Sequence, residues 1–121
     1  MELSKGFESV VSNVKELLGE DLLSLRLFTN DGILLYSDSK GSINEDFLIA
    51  SGSAIVEISN TFSKQLGFRE EPSILLLGND AFVLIKRLSR DTVLMMSVKG
   101  SYEQLSGKVS SILNKLGDFL K

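Results

Sequence analysis

The chain has no cysteine, no histidine and no tryptophan among its 121 residues, and a single proline. Without cysteine there can be no disulfide and no thiolate-held metal. Without histidine as well, the usual general base, the common nucleophilic dyads and nearly all zinc sites are lost together. Long apolar runs are missing too. The longest span four or five residues, far short of the ~20 that a membrane helix needs. Basic charge is not in excess: 13 Lys and Arg stand against 16 Asp and Glu, for a net charge of −3. Phosphate neutralisation drives nucleic-acid binding and attraction to anionic lipid, so neither partner fits an acidic chain with scattered cations. The opening residues, Met1 to Gly6, lack the charged-then-apolar layout of a secretory signal. A cytoplasmic location is the default expectation, with no insertion into a membrane.

What is present is an ordinary globular composition, 43% hydrophobic and 24% charged. A chain of this length buries enough apolar surface to fold without covalent staples. It contains no repeat, no low-complexity stretch and no internal linker, so residues 1–121 read as one domain.

Hydrophobic spacing sets out the elements. Leu3, Phe7, Val10, Val11, Val14, Leu17 and Leu18 recur every three or four residues and predict a helix over 3–18, stopped by Gly19. The period then falls to two. Leu22 to Thr29 and Ile33 to Ser37 form a hairpin around Asn30-Asp31-Gly32. In its first strand Leu23, Leu25 and Leu27 share one face, and Leu22 and Phe28 share the other with Ser24 and Arg26. Apolar residues on both sides imply a sheet covered on both faces. A polar loop leads to a second helix, capped by Ser42 with Glu45 or by Asn44, running to about Leu66 and ending at Gly67. Three strands follow, at Ser73 to Leu77, Ala81 to Leu88 and Thr92 to Val98. Short polar turns join them, so neighbours are antiparallel. Pro72 stands at the first strand's entry, where a missing N–H costs least. Ser101 caps a last helix with a stripe of Leu105, Val109, Ile112, Leu113, Leu116 and Leu120. The fold class is α/β, more narrowly α+β, in the order α-β-β-α-β-β-β-α.

The second helix carries two apolar stripes when its residues are stepped by 100°. Phe47, Leu48, Ser51, Ala54, Ile55, Ile58, Phe62 and Leu66 are expected to pack on the sheet. Ile49, Gly52, Val56, Ser59 and Ser63 form a narrower line whose small residues let another backbone approach. A helix from a second copy is the expected occupant of that line. The expected dimer interface comprises Ile49, Gly52, Ser53, Val56, Ser59, Asn60 and Ser63, with Ile74, Leu75 and Leu76 of the third strand.

Catalytic patterns are missing. Asp31, Asp80 and Asp91 sit at hairpin ends, and Glu45 and Asp46 in a helix's first turn, which are structural places for carboxylates. Gly107-Lys108 lacks the upstream glycine of a phosphate-binding loop, no GxGxxG follows a strand, and no calcium-loop spacing occurs. Arg26 and Arg87 lie within strands, Arg69 in a loop and Arg90 at a hairpin tip, and none stands out as a guanidinium offered to another protein's phosphoryl-transfer site. No catalytic residue, cofactor or metal is expected.

The element order, the run Leu27-Phe28-Thr29-Asn30-Asp31-Gly32-Ile33-Leu34-Leu35-Tyr36-Ser37 and the small-residue helix segment Leu48-Ile49-Ala50-Ser51-Gly52-Ser53-Ala54 together resemble the Roadblock/dynein light chain family. The resemblance spans essentially the whole chain. It implies a five-stranded antiparallel sheet in the order 2-1-5-4-3, with the middle helix on one face and the terminal helices on the other. It also implies dimerisation through the middle helix and third strand, and a non-catalytic role in binding, regulating or scaffolding a small Ras-like GTPase. Two other readings share parts of this plan. A PAS-like small-molecule sensor has the same strand order but several short helices where this chain has one long helix. A longin-type trafficking adaptor begins with the hairpin, without the helix that opens this chain.

Overall fold

A computed structural model of the chain describes residues 5–41 and 44–120, with side chains over 6–41 and 44–116. Leu3, Ser42 and the side chain of Leu120 lie outside them. The elements are α1 (Lys5–Leu18), β1 (Leu22–Thr29), β2 (Leu34–Ser39), α2 (Glu45–Gln65), β3 (Ile74–Leu77), β4 (Ala81–Arg87), β5 (Thr92–Lys99) and α3 (Tyr102–Leu120). The strands form one antiparallel sheet in the order β2-β1-β5-β4-β3.

Alternation along the strands builds two cores. Leu25, Leu27, Phe82, Leu84, Leu94, Met96 and Val98 point to one face, where α1 brings Val10, Val14 and Leu18, and α3 brings Val109, Ile112 and Leu116. Phe28, Ile85, Val93 and Met95 point to the other, against Ile49 and Val56 of α2. Two helices thus close one face, and a single helix lies on the other.

Most boundaries fall where periodicity and turn chemistry place them. Gly19, Gly32 and Gly67 have positive φ at the ends of α1, the hairpin and α2, a conformation costly for residues with a Cβ. Ile33 belongs to the turn rather than to β2, because its N–H donates to the Thr29 hydroxyl at 2.9 Å and its carbonyl accepts from the Thr29 N–H. Asn44 caps α2, accepting from the Phe47 N–H at 3.1 Å. One facing differs from expectation. Leu22 joins Leu25 and Leu27 in the α1/α3 core while Leu23 is half-buried. The pairing of β1 with β5 shifts between Leu22 and Ser24, and one extra residue in a strand reverses the side-chain phase beyond it.

Gly52 sets how closely α2 approaches the sheet. A Cβ there would lie 3.0 Å from Cζ of Phe28, which is fully buried, and closer still to the Met95 methyl. Met95 can swing aside; the Phe28 ring cannot. Gly52→Ala is expected to destabilise the chain by roughly 1 kcal/mol, because overpacking of about 1–3 kcal/mol outweighs the gain in helix propensity. Urea unfolding of the variant checks this, and a stabilised variant would show that α2 is free to lift.

Candidate interaction surface

The two apolar stripes of α2 have exchanged the places expected of them. Ile49 and Val56 are 5% and 3% exposed, and Gly52 and Ser63 are buried with them on the sheet side. These four residues are covered by their own chain and cannot form a seam with another molecule. Phe47, Ile58, Phe62 and Leu66, expected on the sheet, are instead 62–68% exposed. The reason is steric. A glycine-containing line lets a helix settle deep onto large side chains such as Phe28 and Met95, whereas a stripe of Phe, Ile and Leu would hold it away. Small residues did signal a close approach, but to the chain's own sheet.

A salt bridge fixes this orientation at the start of α2. Arg26, in the middle of β1, is 1% exposed and donates through Nε and one terminal nitrogen to the two carboxylate oxygens of Glu45, at 2.7 and 3.0 Å. The Ser37 hydroxyl donates to the same carboxylate at 3.1 Å. The Arg26 guanidinium holds the Glu45 carboxyl below the usual carboxylate range, against the opposing effect of burial and with help from Ser37. Glu45 shares the sheet-facing stripe with Ile49, Gly52 and Val56. An arginine in a doubly covered strand needs a carboxylate, and that requirement was the sequence signal for which stripe faces inward.

The other expected interface residues divide. Ser53 is half-buried on the flank towards the hairpin, beside Asn30, Asp31 and Gly32. The carbonyl of half-buried Asn60 accepts from the Ser63 hydroxyl at 3.1 Å. Ser59 lies on the opposite flank, where a shallow apolar groove also takes in Ile58, Phe62, Leu66, Phe68 and Ile74. Ile74 and Leu75 are half-buried, while Leu76 and Leu77 are 48% and 64% exposed. Sequence reasoning placed Ile58, Phe62 and Leu66 on the wrong side and passed over Phe68 and Leu77. The described residues include no group of three carboxylates able to hold a metal, and no helix long and apolar enough to cross a membrane.

No family model and no curated protein sequence matches the chain. Solved structures do. The gliding protein MglB of Thermus thermophilus superposes with a TM-score of 0.74 at 13% identity, over 98% of this chain and 93% of that one. Myxococcus xanthus MglB gives 0.73 at 15% identity, over 100% and 97%. A Roadblock/LC7 domain from Streptomyces avermitilis gives 0.66 at 11%, over 89% and 94%. The fold is that of a Roadblock/LC7 domain. Identities this low establish the architecture only, so the character of the surface rests on this chain's own residues.

The Roadblock/LC7 strand order leaves β2 and β3 as sheet edges, and the two differ. The β2 edge carries Asp38, has Lys40 just beyond it and shows a register shift opposite Leu27 and Phe28. Lys15 reaches it from α1, 2.7 Å from the Asp38 carboxylate and 5.3 Å above the Tyr36 ring. That pairing raises the Lys15 pKa and lowers that of Asp38. Charges and irregular register are the means by which edges resist pairing with other strands. The β3 edge, Ile-Leu-Leu-Leu, has neither: it is uncharged and pairs with β4 without a shift. Its only guard is its shortness. The open edge adjoins the exposed stripe of α2, and together they make one apolar surface.

Proposed function

We propose that this chain is a non-catalytic, homodimeric docking module that binds a small Ras-like GTPase and regulates or scaffolds it. The observation that carries self-association is the continuity of the bare β3 edge with Ile58, Phe62 and Leu66 of α2. Each large apolar side chain moved from water into a contact contributes about 1.5–3 kcal/mol, and an uncharged edge offers unpaired backbone groups to a matching strand. A second copy supplies both. The interface therefore keeps the helix and strand expected from the sequence but uses the other stripe of the helix. Among the structural neighbours, one MglB structure shows a tetrameric arrangement, so self-association has precedent in this fold.

The GTPase follows from the Roadblock resemblance rather than from any site in the chain. It fits a domain with neither histidine nor cysteine, whose effect on nucleotide hydrolysis would come from ordering the GTPase's own switch loops. The test is a pull-down with the full chain against the small Ras-like GTPases of the same genome, each loaded with GTP and GDP analogues. Retention of at least one, with a nucleotide preference, is expected. Retention of none in either state rejects the GTPase as partner.

A further inference from the structure

The exposed stripe of α2 has an internal order that specifies how a second copy would lie on it. Along the flank beside β3, Leu48, Ile55 and Phe62 recur every seven residues, and Ser51, Ile58, Ser59 and Leu66 fill the positions around them. Reversed about the midpoint between Ile58 and Ser59, the part of this stripe from Ser51 to Leu66 maps onto itself: Ile58 meets Ser59, Ile55 meets Phe62, and Ser51 meets Leu66. Two of the three pairings set a large side chain against a serine, the third a phenylalanine against a smaller isoleucine. Antiparallel helices pack closely when bulk on one faces space on the other. No charged residue interrupts the stripe; Glu57 and Lys64 lie off it. The same midpoint suits the sheet, because Ile58, Ser59, Phe62 and Leu66 border the groove whose far wall includes Ile74 of β3.

Resting on the self-association proposed above, we infer that two copies meet antiparallel about a twofold axis passing between Ile58 and Ser59, with Phe62 of each packed on the partner's Ile55 and Leu66 on the partner's Ser51. The same axis brings the two β3 edges together antiparallel, continuing the sheet from one copy to the other. The groove beside β3 is then half of a site that the second copy's α2 completes.

The chain's lack of cysteine makes this directly testable. Ile58→Cys and Ser59→Cys lie beside the axis and are expected to link covalently to their own copies under mild oxidation, since facing helix positions come within disulfide reach. Ser51→Cys alone should not link, because its copy lies about 22 Å away along the helix pair. The double variant Ser51→Cys/Leu66→Cys should link again, between chains. Sedimentation of each reduced variant is run beside the oxidation. A dimer in which neither axial cysteine links, or in which Ser51→Cys links by itself, overturns the register and leaves self-association standing. A monomer in the unaltered chain overturns both.

Discussion

Ile49→Glu is expected to unfold the chain, whereas Phe62→Glu is expected to leave it folded and make it monomeric. The two residues lie on the same helix and differ in what they face. Ile49 is 5% exposed and packs with Phe28, Val56, Val93 and Met95. Truncating such a side chain alone costs about 2–5 kcal/mol, and a buried unpaired carboxylate adds several more. The sum approaches the whole stability of a small domain, about 5–15 kcal/mol. Phe62 is 64% exposed in the single chain, so its replacement should change monomer stability by no more than about 0.5 kcal/mol. In the dimer the same carboxylate would be driven against an apolar partner face. Circular dichroism melts of both variants, with sedimentation of Phe62→Glu, check this. The opposite result, a folded Ile49→Glu and an unfolded Phe62→Glu, would return α2 to the orientation expected from its sequence.

Glu45→Ala should be the most damaging change at a residue that touches water. Its 30% exposed side chain is the only ion-pair partner shown for Arg26, which is 1% exposed. Removing the carboxylate leaves a guanidinium inside the sheet–helix layer without its counter-charge, a loss of about 3–5 kcal/mol. The lower end applies here, since the space left by Glu45 opens to solvent. Restoring an apolar match with Arg26→Met/Glu45→Ala should recover much of that loss, because the penalty comes from the orphaned charge rather than from a missing attraction. A second partner for Arg26 that made Glu45→Ala neutral in urea titration would remove this explanation of how α2 is anchored.

The pair also fixes a pH dependence. Glu45 has its pKa lowered from 4.5 in the folded chain. Between the two values the unfolded chain binds the proton more readily, so stability rises with pH in that window. The contribution is present in full above 4.5 and is lost as pH falls through the lower folded-state value. Asp38 acts in the same direction, but its salt bridge with Lys15 is open to water and contributes little.

The fold was legible because each element announces itself locally. The period of α1, the Asp31-Gly32 turn, and the short polar links between β3, β4 and β5 fix element type and antiparallel pairing without knowledge of the rest. The site was legible in outline only. That α2 has two apolar sides and one intermolecular task could be read from spacing. Which side faces the sheet could not, because a helical wheel weighs apolarity and both stripes are apolar. The choice is made by contacts distant in sequence: Gly52 beneath the Phe28 ring, and Glu45 reaching Arg26. Leu22 escaped for the same kind of reason, since a bulge depends on the partner strand.

The central claim is that this domain works by docking, beginning with a second copy on the α2–β3 surface. Sedimentation equilibrium of the unaltered chain from low to high micromolar concentration tests it most directly. The expected result is a mass twice the 13.3 kDa of one chain. A single-chain mass at the highest concentration would contradict it.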